Sequence, residues 1–278
     1  MRKELNILSQ SIFLILLLVL SACAYRPKLL AEKILPQQIA EMKKTTRLNE
    51  GEKIKYGISW LGISCGKMDL EIKSSEEING RKVYHLFCDA GPNDFFSIFF
   101  QSRYILETYL DAETGLPIKS VRKKMPKNQT EEEIMFHWNN KVAEVNYGKA
   151  VKKIPLAENS QDLLSFLYYF RINGLAPDKK YNFSIIYSGK SWPVEMISDG
   201  VYQLRQTGGR CIRVLSVKLF SPLILEIMGG KELTAYVSAD YERIPVIFSV
   251  KTKMGQADTT LIEKRQCELP KLEKKIPQ

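Results

Sequence analysis

Glu52-Lys53-Ile54-Lys55-Tyr56-Gly57-Ile58-Ser59-Trp60 is the stretch that decides the fold. Ile54, Tyr56, Ile58 and Trp60 alternate with Lys53, Lys55 and Ser59. A period of two is the mark of a strand with one buried face. Past Gly62 the alternation resumes, with Met68, Leu70 and Ile72 against Lys67, Asp69 and Glu71. Asn79-Gly80 then supplies a two-residue hairpin turn, because both residue types tolerate positive φ. Residues 82–88 are its returning strand, so 52–89 reads as strands joined by tight turns.

Further strands are expected at 103–111 and from Pro117 to about Met125, with a turn at 112–115 between them. The basic run Arg122-Lys123-Lys124 reads as a solvated face. Segments 131–138 and 141–147 form a hairpin around Asn139-Asn140. One helix is expected, over 160–171. Ser160 is suited to cap it, since its hydroxyl can accept from an orphan backbone N–H. Asp162 falls in the first turn, where the helix dipole favours acid. Leu163, Phe166, Leu167 and Phe170 share a face, and Gly174 can adopt the left-handed end. Strands resume at 181–187, 193–198, 201–206, 211–219, 232–239, 245–253 and 258–265.

The sum is a mainly β protein. Short connections favour antiparallel neighbours, hence a curved antiparallel sheet, an open barrel or two packed sheets, with one prominent helix near 160–171. The β-rich domain is expected over 51–267, with two halves joined near 150–178, and a frayed tail over 268–278. Hydrophobic content of 45% and charged content of 26% suit an ordinary globular core.

The N-terminus carries an address. Arg2 and Lys3 precede an apolar run over 11–20, followed by Leu20-Ser21-Ala22-Cys23. A positive start, a short apolar core and small residues before a cut site make a secretory signal over 1–22. The apolar core is shorter than the ~20 residues that span a bilayer. Leu20, Ser21, Ala22 and Cys23 resemble the bacterial lipobox. That resemblance implies cleavage before Cys23 and diacylglyceryl modification of its thiol, giving a stable two-chain membrane anchor. Ala24, where an aspartate would signal inner-membrane retention in enterobacteria, favours the outer membrane facing the periplasm over the inner membrane. Residues 23–50 then form a lipidated tether, with a short helix from Pro36 to Lys44. Fully extended it reaches about 90 Å.

The net charge of +10 could favour anionic headgroups or acidic polymers. Export argues against nucleic acid as the partner. Of five cysteines, four remain after Cys23: Cys65, Cys88, Cys211 and Cys267. An oxidising compartment suggests disulfides among them, with three connectivities open. Nearness in sequence favours Cys65 with Cys88 and Cys211 with Cys267. Zinc-type spacing is absent, so no metal and no other cofactor is expected.

Phe95, Phe96, Phe99 and Phe100 crowd into six residues. They read as a core segment or as the lip of a hydrophobic ligand site. His85 and His137 sit among strand residues. Glu107 and Asp111, four apart on a strand, face one side and are the nearest thing to the paired carboxylates of glycan cleavage. Asp240 and Arg243 flank a turn before Pro245, either as a structural turn, since aspartate bonds its own backbone there, or as a contact for an anion.

Several pieces together resemble the domain-of-unknown-function 3108 family. They are Gly51-Glu52 with Tyr56-Gly57-Ile58-Ser59-Trp60-Leu61-Gly62, then Arg103 with Asp111 and Pro117. Asp162-Leu163-Leu164-Ser165-Phe166-Leu167-Tyr168-Tyr169-Phe170-Arg171 follows, and last come Ser238-Ala239-Asp240 with Arg243-Ile244-Pro245-Val246. The resemblance implies an exported, β-rich bacterial protein and brings no activity with it. The expected function is a non-catalytic envelope lipoprotein, held to its membrane through Cys23, whose β domain binds a lipidic or other hydrophobic ligand. The alternatives are a scaffold for an envelope protein complex and, last, an enzyme acting on peptidoglycan or polysaccharide.

Overall fold

The computed structural model describes residues 31–33, 48–78, 80–98, 102–125, 130–147, 150–205 and 211–266. Among them, sixteen strands form one sheet. After a short β1 (Ala31–Lys33), a meander runs through β2 (Glu52–Trp60), β3 (Ile63–Ile78), β4 (Arg81–Pro92) and β5 (Arg103–Asp111). It continues through β6 (Pro117–Met125), β7 (Thr130–His137), β8 (Val142–Tyr147) and β9 (Ala150–Pro155). A second meander follows β10 (Ser160–Gln161): β11 (Lys180–Tyr187), β12 (Lys190–Arg205), β13 (Cys211–Phe220), β14 (Gly230–Ser238), β15 (Pro245–Thr252) and β16 (Gly255–Gln266). Three α-helices, α1 (Asp94–Ser97), α2 (Leu163–Asn173) and α3 (Pro222–Met228), and one 3-10 turn, Trp138–Asn140, interrupt them.

The sheet is antiparallel except where β10 lies parallel to β11. The two meanders join through their first and last strands, with Thr260 of β16 opposite Gly57 of β2. The alternation in β2 lands as expected: Ile54 and Tyr56 are buried while Lys53 and Lys55 face water. Ile78 pairs with Arg81 across the two-residue turn, where Gly80 takes φ 76°.

The ladder itself does not close into a barrel. Its open edges are bridged by side chains. Glu132 on β7, almost fully buried, accepts from Arg122 Nε at 2.9 Å, from the Tyr147 hydroxyl at 2.7 Å and from the Gly189 N–H at 3.2 Å. Arg122 also lies over the Tyr187 ring at 4.4 Å, and Lys152 donates to the Gly189 carbonyl at 2.7 Å. These contacts latch the β11–β12 turn onto the β7–β9 edge. Gly189 is needed there, because at φ 64° a Cβ would sit 2.8 Å from the Tyr147 hydroxyl. The reading of Arg122 as solvated is therefore corrected. Its neighbours Lys123 and Lys124 are half-buried, Lys123 beside Glu131 and Lys124 over the Tyr104 ring.

α2 fills the inside of the curve. Leu164, Tyr168 and Ile172 pack with Ile54, Tyr56, Leu70, Ile72, Leu86 and Leu110 of the first meander. Phe170, with Phe166 and Tyr169, packs on Phe183, Val194, Met196 and Leu215 of the second. One helix thus serves two halves of one sheet. Its cap differs from expectation. Asp162, not Ser160, holds the first turn: its Oδ1 accepts from Leu164 N at 2.8 Å and Ser165 N at 3.2 Å, and the Ser165 hydroxyl accepts from Asp162 N. Ser160 and Gln161 are drawn instead into the β10–β11 pairing, and the Ser160 hydroxyl accepts from Ala157 N. Gly174 ends the helix with its N–H bonded to Phe170 O, but at φ 88° and ψ 156° rather than in the expected left-handed conformation.

Two further expectations are corrected. Segments 193–198 and 201–206 are one strand, β12, bent by a bulge at Ser198/Val201 where Gly200 has φ 83°. The supposed tether of 23–50 is partly structure. Ala31–Lys33 pairs antiparallel with Tyr202–Leu204, and Leu48 is buried in the core with its N–H bonded to the Tyr84 hydroxyl at 3.2 Å. The expected helix from Pro36 to Lys44 and the tail of 268–278 lie outside the described residues.

Candidate docking site

The sheet has two unlike ends. At the first lie the chain entry at Glu52, the β3–β4, β5–β6 and β14–β15 turns and the end of β16. Polar side chains there are bonded to the chain itself. Glu52, with no exposed surface, meets Arg171 in a two-pronged pair, Nη1 to Oε1 at 2.6 Å and Nη2 to Oε2 at 2.9 Å. Arg171 Nε reaches the Glu242 carbonyl at 2.9 Å, and Lys264 lies 3.4 Å from Glu52. Burial opposes the Arg171 charge, but the hydrogen bonds and charge of Glu52 outweigh it and raise the guanidinium above its ordinary pKa.

Asp240 and Arg243 stand in the β14–β15 turn, where Asp240 is bonded to the chain around it. Asp240 Oδ1 accepts from Glu242 N, Arg243 N and the Ser238 hydroxyl, which in turn accepts from Ile244 N. Arg243 is buried at φ 49°, and burial lowers its pKa. Asp111 does the same work at the β5–β6 turn, accepting from Glu113 N, Thr114 N and the Thr114 hydroxyl. Glu107 lies 2.7 Å from His85 Nε2 and 3.7 Å from Lys73, with His85 stacked on Tyr109 at 4.6 Å. His137 is exposed beside Glu144 at 3.5 Å. Among the described residues, no group of three or more His, Cys, Asp or Glu side chains is arranged to hold a metal.

The cysteine pairing is corrected in part. Cys88 stands opposite Leu70, while the Cys65 carbonyl accepts from Asn93 N, so the two sit about five residues apart along the β3–β4 ladder. At roughly 3.3 Å per residue that spacing is too long for a disulfide, whose Cα atoms lie within about 7 Å. Burial pushes the Cys88 thiol up to about 12. Cys267, like Cys23, Leu20, Ser21, Ala22, Phe99 and Phe100, lies outside the described residues.

At the other end lie the β2–β3 turn, α1, the β11–β12 turn, α3 and the β15–β16 turn. Here bulky apolar side chains project among charged ones. Trp60 and Leu61 stand on the first turn and Met254, 73% exposed, on the last. α1 begins at Asn93, whose side chain accepts from Phe96 N. It presents Phe95 at 65% exposure, and Ile98 beyond it is 70% exposed. α3 follows a Ser221 cap with Pro222 at its first position, as such helices prefer. Leu223 and Ile224 of α3 are buried, whereas Leu225, Ile227 and Met228 face water. Other exposed large apolar side chains among the described residues, Met125, Tyr147, Val151, Phe220, Tyr241 and Ile262, lie on other elements.

Phe95 and Phe96 were expected in a core segment or at a ligand lip. They belong to this projecting end, with their rings edge-to-face at 5.3 Å. A cleft of about 370 Å³ opens elsewhere, lined by Asn159, Tyr169, Asn173, Lys180, Tyr181 and Phe183. No described helix is long and apolar enough to cross a membrane.

Over residues 54–262 the sequence matches the family described as protein of unknown function, DUF3108. The chain belongs to the DUF3108 family. No curated protein matches it. A solved structure similar in fold is the β-barrel-like protein of domain of unknown function DUF1849 from Brucella abortus. It is 9% identical with a TM-score of 0.50, covering 80% of this chain and 100% of that one. A putative exported protein with a YmcC-like fold from Bacteroides fragilis matches at 9% identity and a TM-score of 0.30, over 79% of this chain and 97% of that one. Several of the residues that carry the DUF3108 likeness are bonded to one another, while Trp60, Leu61 and Arg103 lie toward the other end. Glu52 pairs with Arg171, the Tyr56 hydroxyl donates to the Pro245 carbonyl at 2.8 Å, and Asp162 accepts from the Thr108 hydroxyl at 2.8 Å. In this DUF3108 chain those residues hold the fold together.

Proposed function

We propose that this protein is a non-catalytic lipoprotein of the bacterial envelope that acts by docking the apolar end of its sheet onto a partner surface. Cys23 anchors it through two acyl chains, on the outer membrane facing the periplasm. The observation that carries the reading is the gathering of exposed apolar side chains from four separate connections at one end. Bulky apolar side chains exposed from several connections at one end mark an interaction site more than the same residues scattered singly over a surface. The interior supports docking over enclosing a ligand, because α2 fills the curve from both sides. The carboxylates considered for catalysis are engaged by their own neighbours, which favours a binding role over a hydrolytic one.

Photo-crosslinking in intact cells tests this. A photoreactive residue replacing Met254 or Ile227 is expected to yield adducts, and one replacing Glu113 or Tyr241 at the other end is not. Equal yields from both ends would refute it. The earlier idea of an enclosed ligand keeps one observation, the cleft beside Tyr169 and Phe183, which falls in the size range of small-molecule sites. Native mass spectrometry of the purified chain checks it, with no co-purified lipid expected.

A further inference from the structure

We infer that the surface on which this end docks is an anionic lipid bilayer. The inference rests on the docking reading and names its partner. The apolar side chains sit on tips of connections rather than on one flat face: Trp60 and Leu61, Ile98, Ile227 with Met228, and Met254. Such tips can enter the headgroup region separately, each burying its own apolar area.

Lysines surround them. Lys67, Lys190, Lys231, Lys251 and Lys253 are all exposed at the same end. None of them forms an ion pair among the described residues. Against them around these connections stand the exposed carboxylates Asp94 and Glu226 and the half-buried Glu232 and Asp258. This mixture separates two partner classes. Protein interfaces are depleted in lysine relative to the rest of a surface. Bulky apolar residues flanked by lysine are the composition of elements that lie in a membrane interface. Each lysine near an anionic leaflet adds attraction that fades within a Debye length. Met254 shows the pairing most compactly, lying next to Lys253 on a two-residue turn between Thr252 and Gly255.

The test is vesicle flotation of the full chain from residue 23, carrying Cys23→Ser so that no acyl chain contributes. The expected result is flotation with vesicles containing phosphatidylglycerol and none with phosphatidylcholine alone. The combined change Ile98→Ser, Ile227→Ser, Met254→Ser is expected to abolish flotation with the melting temperature unchanged. So is Lys231→Glu, Lys251→Glu, Lys253→Glu. Absence of flotation with the anionic vesicles overturns the inference, as does equal flotation with both vesicle types or by the altered chains. If flotation fails while crosslinkers at 227 and 254 capture one discrete protein in cells, the lipid surface is wrong and the docking end stands. If both fail, both readings fall.

Discussion

The two ends of the sheet use their residues in opposite ways. At the chain-entry end, charged and polar groups are bonded inward: Glu52 to Arg171, Asp240 to its own turn, Asp111 to Thr114. At the α1–α3 end, Ile98, Ile227 and Met254 are exposed to water. The first end should therefore be costly to alter and functionally silent. The second should be cheap to alter and functionally decisive.

The sharpest way to break that contrast is Arg171→Ala. It leaves Glu52 buried without its partner, and losing one partner of a buried pair costs about 3–5 kcal/mol. Urea unfolding should show the midpoint falling with an unchanged slope. Met254→Ser, in the same assay, should shift stability by no more than ~0.5 kcal/mol. A comparable loss at both positions would erase the distinction between the ends.

Glu132→Ala tests the latch. Removing charge-assisted hydrogen bonds at Arg122, Tyr147 and Gly189 should cost about 1.5–3 kcal/mol. Amide exchange should rise at the β11–β12 turn before it rises in β2–β5. Uniform exchange would mean the sheet edges hold without the latch.

Asp162→Asn has a smaller expected effect and a defined sign. Burial raises the Asp162 pKa above the ordinary carboxylate value, and the hydrogen bonds from Ser165, Thr108 and Leu164 only partly offset it. The folded chain therefore binds this proton more tightly than the unfolded chain. That stabilisation is full below the unfolded pKa and is lost as pH rises through the folded one. Asparagine keeps the capping oxygen and cannot ionise. The variant should be as stable as the wild type or more so at neutral pH, and relatively weaker in acid. Urea melts at the two pH values check it, and a large loss at neutral pH would contradict the account.

The sequence made much of the frame legible, and the reasons are local. Residues 52–60 alternate because their two faces meet different surroundings, and the Asn79-Gly80 dipeptide closes its hairpin through backbone freedom alone. β9 and α3 were missed. Ala150–Pro155 carries no alternation, since most of it is exposed on both faces of an edge strand. Pro222–Met228 is too short for its period to show, although Ser221-Pro222 is a start signal that could have been used. The Ser160 cap failed because Ser160 and Gln161 are held in the β10–β11 pairing, so that the helix starts at Leu163 with Asp162 as its cap. The docking end was the least legible. Its members are spread from Trp60 to Met254, and only the meander's alternation of direction brings their turns to one side. The Phe95-Phe96 pair signalled it faintly, as greasy residues in a run too short to be a strand of its own.

Oxidative footprinting on isolated envelope membranes measures the contrast most directly. Met254 and Met228 are exposed at one end and Tyr241 at the other. In the membrane-free chain all three should oxidise readily. On the membranes, Met254 and Met228 should be protected while Tyr241 stays as reactive as before. Protection of Tyr241 with Met254 left open would contradict the account.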